Sequence, residues 1–383
     1  MPRRTSDASR ASVTAELPRR FLERLVEAVG PENVLTDPAD RWVYGYDNSR
    51  KQAPPEVVAF ATAHAQVAVI LHACHEFGVP VVARGRGTNT TGAAVPLAGG
   101  LVLSLERMTR IVSTDPANRA LRVEPGTLNQ AVQDEAAKHG LFWPPDPTSA
   151  AYCTVGGNIA LNAGGPKAVK YGATRENVLG LTAVTGSGET IHTGVYTTKG
   201  VVGYDLTRLI IGSEGTLAIV TEATLKLTPL PEARRTLQAV YRDIRAATQA
   251  VVAIMGQPVT PCALEFMDAT SIEMIRDYSQ AELPRGAGAL LMIEVDGQEV
   301  AMDAAVAAIS RAAKNDGLVS LAAAKTKEEA EALWAARKAL SPALRTLAPN
   351  KLNEDVVVPV SRIPELIEGL EKLSKEYGIP IVN

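Results

Sequence analysis

Three cysteines in 383 residues, Cys74, Cys153 and Cys262, lie far apart and form no C-x-x-C pair. That spacing excludes a disulfide framework and gives no zinc or iron–sulfur ligand set, and it suits a reducing compartment, so a cytoplasmic location is expected. An excess of one charge is also missing: 39 Lys and Arg stand against 42 Asp and Glu, for a formal net charge of -3. Long-range attraction to nucleic acid or to an anionic membrane is therefore not expected. No apolar run approaches the length of a membrane span. The opening residues, M-P-R-R-T-S-D-A-S-R, are basic and polar, but no apolar core follows them, so they do not read as a secretory signal. Aromatic residues are only 4% of a chain that is 46% hydrophobic, which describes an aliphatic globular core. At this length two domains are expected.

Glycine is placed where it matters. Residues 79–107 carry an apolar run into a loop, R-G-R-G-T-N-T-T-G, and leave along a second apolar run. Gly85, Gly87 and Gly92 lack a Cβ and can let the backbone amides around Arg86, Thr88 and Asn89 turn toward an anion. Thr88, Asn89, Thr90 and Thr91 add side-chain donors, while Arg84 and Arg86 add positive charge, a combination that suits a pyrophosphate. The spacing matches neither G-x-x-x-x-G-K-[ST] nor a G-x-G-x-x-G that opens a helix, so the P-loop and Rossmann patterns are excluded. Taken alone, such a loop also fits a tight connection between two buried strands.

A second stretch, residues 144–172, combines rigid prolines with two Gly-Gly pairs around N-I-A-L-N. Gly156, Gly157, Ala160, Ala163, Gly164 and Gly165 exclude bulk, and Thr148, Thr154, Asn158 and Asn162 offer hydrogen bonds, as backbone lying against a wide planar cofactor would require. A glycine-rich hairpin loop is the plainer alternative. The third stretch, residues 205–227, passes through G-S-E-G-T, with Gly212 and Gly215 around Ser213 and Glu214; an ordinary hairpin turn fits it as well as a ligand contact does.

Between these stretches the pattern predicts helices over residues 17–29, 64–78 and 127–139, the last opened by a Thr127-x-x-Gln130 capping box. A strand is expected at 57–61 and a hairpin with arms 111–114 and 120–124. After Pro229 glycine thins out, and strands at 237–241, 263–267, 289–295 and 318–322 alternate with helical patterns that include residues 327–347. Residues up to about 16 read as a frayed arm.

Three glycine-rich, strand-flanked segments in this order, over residues 40–230, resemble the FAD-binding domain of the vanillyl-alcohol oxidase and p-cresol methylhydroxylase superfamily. The tail L-W-A-A-R-K and E-D-V-V-V-P-V-S-R-I-P-E narrows the resemblance to the branch of the glycolate oxidase D-subunit, D-lactate dehydrogenase and D-2-hydroxyglutarate dehydrogenase. The implied fold is α+β: an N-terminal arm and helix (1–40), a two-subdomain FAD domain of the p-cresol methylhydroxylase type (41–230), and a cap with an antiparallel sheet (231–383), incomplete at its end. The implied cofactor is FAD. The resemblance assigns its pyrophosphate to Arg84, Gly85, Arg86, Gly87, Thr88, Asn89, Thr91 and Gly92. It assigns the flavin and ribityl chain to Pro147, Thr148, Thr154, Gly156, Gly157, Asn158 and Gly164, and the adenine side to Glu214, Gly215 and Ile219. Arg337 matches the position that grips the substrate carboxylate, with Ser341 one turn further on. Without the resemblance, Arg337 would read as a solvated or Glu331-paired arginine.

The activity implied is oxidation of a small D-2-hydroxyacid to the 2-keto acid with hydride transfer to flavin N5. Electrons would leave through an acceptor protein or additional subunits, which would also account for any peripheral membrane association. A subunit that binds FAD for assembly or electron relay without its own turnover is the alternative. The ether-lipid synthase branch would need membrane-facing apolar helices, which are not found. The family lysine before E-D-V-V-V-P is replaced by Asn353, with Lys351 two residues earlier. Residues 378–383 read as a strand that stops where the family continues into G-H-x-G-D-G-N-x-H. The implied metal ligands and base therefore lie beyond Asn383, none of His64, His72, His75, His139 and His192 is assigned as base, and the chain is expected to be an inactive fragment that still binds FAD. Some relatives hold FAD covalently through a histidine in R-S-G-G-H. Here no histidine lies between His75 and His139. Acid precipitation of the flavin-loaded protein is expected to release FAD into the supernatant, and flavin remaining in the pellet would show a covalent link.

Overall fold

The computed structural model describes residues 17–197, 199–276, 285–347, 352 and 354–383. The expected N-terminal arm, and positions 351 and 353, lie outside these residues.

The first layer is a four-stranded sheet of β1 (Val34–Leu35), β2 (Val57–Phe60), β3 (Val81–Arg84) and β4 (Leu101–Ser104), in the order β1-β2-β4-β3. β2, β4 and β3 run parallel, and β1 is antiparallel to β2. The helix His64–Phe77 crosses between β2 and β3 and buries Val67, Ile70, Leu71 and Cys74 against Val57, Ala59, Leu101 and Leu103. Its apolar residues recur at helical spacing, and Gly78 ends it in the left-handed conformation, φ 66°. The helix Arg19–Val29 covers the same core with Phe21, Leu25 and Val29. Residues 17–35 are thus built into this layer through helix packing and β1.

The second layer is antiparallel throughout: β5 (Ile111–Asp115), β6 (Ala120–Val123), β8 (Val178–Thr185), β9 (Thr190–Gly194) and β10 (Ala218–Lys226), in the order β5-β6-β10-β8-β9. A short ribbon of β7 (Leu141–Phe142) and β11 (Thr228–Pro229) flanks it. Trp143 is fully buried, and its indole donates to the Asn177 carbonyl at 2.9 Å. The two layers are pinned by His64, whose ring nitrogens lie 2.8 Å from Thr221 Oγ1 and 2.8 Å from Thr190 Oγ1.

After Pro229 the chain builds a third sheet: β12 (Ala233–Tyr241), β13 (Ala263–Asp268), β14 (Ala289–Gly297) and β15 (Leu318–Ala323), in the order β13-β14-β12-β15. Alternation along β14 sends Leu291, Ile293 and Val295 to the helices Ile244–Met255 and Met302–Ala312, and Leu290 and Met292 to Ala269–Arg276 and Lys327–Leu347. No helix among the described residues is long and apolar enough to cross a membrane.

Three local expectations are corrected. Thr127 does not cap a helix: its hydroxyl faces the Arg110 carbonyl, its own carbonyl accepts from Val155, and the helix begins at Asn129. Residues 206–210, which lead into the third of the segments read as strand-flanked, form a short helix, because the Asp205 side chain accepts from the Arg208 amide at 2.9 Å. Residues 379–383 are not a strand. Gly378 ends the helix Ile363–Tyr377, and the chain end docks by hydrogen bonds between Asn383 and both Asp268 and Ser271.

The second layer meets the third at Asp296 on β14. Its carboxylate, with a side chain 1% exposed, accepts from Lys170 and from the Tyr171 hydroxyl at 2.7 Å. Tyr171 packs edge-on against Phe142, and burial, reinforced by Asp296, pushes its pKa up. Removing one partner of a buried pair strands the others, so Asp296→Ala is expected to cost about 3 kcal/mol in urea unfolding, with Asp296→Asn between it and the parent. An unchanged midpoint would show that this contact holds nothing.

Candidate functional site

β3 delivers Arg84 to the start of the first glycine loop. Arg84 is 8% exposed, and its guanidinium donates to the Tyr46 carbonyl at 2.8 Å. Burial lowers its pKa from the ordinary arginine value, opposed by Asp47 and Glu106. The guanidinium lies against Gly87, where a Cβ would come within 2.4 Å of Nη2. Gly87 also has φ 63°, so the position needs glycine for space and for backbone conformation. Arg84 therefore braces the loop, whereas the exposed Arg86 faces Glu106 at 3.8 Å.

Asn48 holds the loop's other side by donating to the carbonyls of Asn89 (3.0 Å) and Thr88 (3.2 Å). Asn89 Oδ1 accepts from the amides of Thr91 and Gly92. Among the described residues, no protein acceptor takes the backbone amides of residues 86–90. A run of amides with no protein acceptor, on a bend of glycine and small polar residues after Arg86, suits an anion.

The second segment forms the helix Val155–Leu161, capped by Thr154, whose hydroxyl accepts from the Gly157 amide at 3.2 Å. A Cβ on Gly85 would land 2.5 Å from that same hydroxyl, so the first loop and the second segment touch there. The third segment closes onto the second: the amides of Gly212 and Glu214 donate to the carbonyls of Ile159 and Ala160, each at 2.9 Å. Gly215, with φ 77°, would place a Cβ 3.5 Å from Ala83 on β3. The three glycine segments, distant in sequence, converge on one place.

Their glycines answer to different neighbours. A Cβ on Gly156 would meet Pro125 at 2.6 Å, and one on Gly165 would meet Asp146 at 2.2 Å, so both are explained by protein packed on protein. Gly157 meets nothing closer than Thr154 Oγ1 at 3.3 Å, and Gly164 nothing closer than Ala168 Cβ at 3.5 Å. For Gly164 that is ordinary contact, and for Gly157 the one tight neighbour is the capping hydroxyl of Thr154. Asn158 Nδ2 and Ser213 Oγ are buried with no hydrogen-bond partner. A buried polar group left unpaired costs about 1–3 kcal/mol. Unpaired amides, orphaned polar atoms and glycines with open sides together fit a large ligand with a pyrophosphate and a polar planar body, as FAD is.

The remaining expected residues are spread around this junction. Pro147 and Thr148 lie on a turn closed by Ala150 N and Pro147 O at 2.8 Å. Asp146 and Lys167, 3.0 Å apart, hold that turn against Gly165, and burial raises the Asp146 pKa against the pull of Lys167. Glu214 is exposed with φ 54°, and Ile219 is buried in the core under the first layer, so a ligand there would meet backbone. Arg175 belongs to the junction although no pattern marks it: its amide donates to Asn162 Oδ1 and its Nη2 to the Ile211 carbonyl, each at 2.9 Å, welding the second segment to the third. Among the described residues no three His, Cys, Asp or Glu side chains gather as a metal site requires. His72, His139 and His192 lie beside Ser187, Glu135 and Thr182 respectively, far in sequence from the third sheet.

Arg337 lies on the third sheet's polar end. The helix Lys327–Leu347 crosses the β13–β14 face there, and Arg337 Nε donates to Glu265 Oε2 of β13 at 2.8 Å. Its partner is Glu265 rather than Glu331, which faces Lys327 at 3.4 Å. Among the described residues no acceptor takes the two terminal nitrogens of Arg337. Trp334 donates to Glu294 at 3.0 Å nearby. The helix Ala168–Tyr171, which follows Gly164 and Gly165, packs against β13, so this polar end adjoins the cofactor junction. The side chain of Ser341 lies outside the described residues.

Residues 55–194 match the family described as FAD binding domain, and residues 230–383 match FAD linked oxidases, C-terminal domain. The chain is 41% identical over 360 residues to glycolate oxidase subunit GlcD of Bacillus subtilis (strain 168), covering 94% of this chain and 77% of that protein. It is 33% identical over 376 residues to D-lactate dehydrogenase of Anaerostipes hadrus, covering 95% and 77%. In fold it is similar to 4-ethylphenol oxidase of Gulosibacter chungangensis in its isoeugenol complex, with a TM-score of 0.75 at 17% identity over 97% of this chain and 80% of that one. The chain belongs to the FAD-linked oxidase family.

Proposed function

We propose that this chain is the FAD-carrying component of an enzyme that oxidises a D-2-hydroxyacid of the glycolate or D-lactate class to its 2-keto acid. Residues 41–230 would form the FAD-binding domain and residues 231–383 the substrate-binding cap. The observation that carries the reading is Arg337: a guanidinium held by one edge, with its terminal nitrogens unpaired, beside the junction of the three glycine segments. A planar fork of this kind matches a carboxylate in bidentate fashion.

The amides of residues 86–90, with Thr91 and Gly92, would hold the cofactor's pyrophosphate. Thr154, Gly156, Gly157, Asn158 and Gly164, with Pro147 and Thr148, would line its flavin and ribityl portion, and Glu214, Gly215 and Ile219 its adenine side. When bound, FAD supplies a two-electron acceptor for the hydride leaving the substrate's α-carbon. The protein's own work is orientation: Arg337, with Ser341 a turn away, fixes the carboxylate and hence the direction in which the α-carbon points. The name of the Bacillus subtilis relative as a subunit supports reoxidation through additional subunits.

Two measurements check this. Anaerobic titration of the FAD-loaded protein with D-lactate or glycolate is expected to change flavin absorbance saturably, by band shift or by bleaching, and D-lactate is expected to act at lower concentration than L-lactate. Flavin bands that ignore every 2-hydroxyacid would contradict the reading. For the cofactor site, Gly157→Ala is expected to leave apo stability within about 1 kcal/mol of the parent, since alanine favours a helix, while FAD affinity falls at least about tenfold because the Cβ enters ligand space. Gly156→Ala, pressed against Pro125, is expected to destabilise the apo protein itself. Equal stability losses in the two variants would assign Gly157 to ordinary packing.

A further inference from the structure

The pairing of Arg337 with Glu265 carries an inference about selectivity, which rests on Arg337 being the carboxylate grip. A guanidinium has three nitrogens in one plane. In this chain Nε, the one nearest the helix, is fixed by Glu265 Oε2 at 2.8 Å. Glu265 is firmly seated: its side chain is 19% exposed, and its strand pairs with β14 with Glu265 opposite Met292. Anchoring at Nε restrains the rotation of the guanidinium plane and leaves the two terminal nitrogens, which no described residue accepts from, as the pair available to a ligand.

Charge follows from the same geometry. Glu265 and Glu294 both stand at this end of the sheet face, Glu294 two residues along β14 from the partner of Glu265. Lys170 is committed to Asp296, four residues along β14 from that same partner. At about 3.3 Å per strand residue, Asp296 lies roughly 13 Å along β14 from Met292, the residue opposite Glu265. Arg234, the cross-strand partner of Asp296, stands in the same distant row. Among the described residues, the charged side chains that this face of the sheet sets closest along the strands to the Arg337–Glu265 pair are therefore Glu265 and Glu294, with Asp296, Lys170 and Arg234 further along it.

We infer that Glu265 is a positioning and specificity-determining residue: it aims the Arg337 fork at a single carboxylate, and its own charge turns away substrates that carry a second one.

Two variants separate aim from charge. Glu265→Gln keeps an oxygen that accepts from Nε but removes the charge, whereas Glu265→Leu removes both. The readout is the dissociation constant from flavin absorbance changes in the FAD-loaded protein, for D-lactate and for D-malate. Glu265→Gln is expected to hold D-lactate within about threefold of the parent while D-malate tightens by about tenfold, the scale of one removed like-charge contact. Glu265→Leu is expected to weaken D-lactate by about tenfold through loss of aim. Retained FAD and unchanged flavin bands without substrate report an intact fold for both. A D-lactate to D-malate preference that is the same in parent and Glu265→Gln would overturn the inference, as would a Leu variant that binds D-lactate like the parent. If the parent responds to neither acid, or if Arg337→Ala binds D-lactate normally, the failure lies in the carboxylate grip itself rather than in Glu265.

Discussion

The amides of residues 86–90 set the constraint on which the rest of the molecule turns. Among the described residues none accepts from this run of backbone donors, and the bend that carries them is held from its other side by Asn48 at the Thr88 and Asn89 carbonyls. Such a bend needs support from below and from the side. Arg84 fills the space beneath Gly87, the Thr154 hydroxyl closes on Gly85, and the turn at Gly212 and Gly215 locks the helix Val155–Leu161 in place. The two flavin-domain sheets can be seen as the frame that brings these supports together, with His64 bolting one to the other.

The carboxylate grip proposed at Arg337 stands on a different frame. The third sheet is apolar on the face covered by Ile244–Met255 and Met302–Ala312, and on the opposite face turns polar only toward one end. That end carries Glu265, Glu294 and Asp296, each matched to a donor: Arg337, Trp334 and the Lys170–Tyr171 pair. The last of these belongs to the helix that follows Gly164 and Gly165. One buried carboxylate thus ties the third sheet to the segment that follows the second glycine stretch.

The glycine-rich bend at 84–92 was legible because its chemistry is local: glycines, threonines and an asparagine lie within nine residues of one another. The four strands of the third sheet and the helices at 19–29, 64–77 and 327–347 were likewise written in hydrophobic periodicity, whereas the α+β class of the whole chain came with the resemblance. What escaped was decided by distant partners. Thr127 looked like a cap, but the neighbouring Arg110 and Val155 claimed its polar atoms. Arg175 joins two segments through Asn162 and Ile211, and no spacing within T-R-E-N announces it. The role of Arg337 came from resemblance, and its actual partner lies 72 residues away on β13, beyond the reach of helix-pair rules.

The most direct test of the account is hydrogen exchange at the loop itself, compared between apo protein and protein loaded with FAD. Backbone amides of residues 86–90 should exchange at least about tenfold more slowly once FAD is bound, because the ligand gives them the acceptors that the protein withholds. Protection confined to other segments, with 86–90 exchanging at the same rate in both states, would contradict the claim that this loop is the cofactor's anchor.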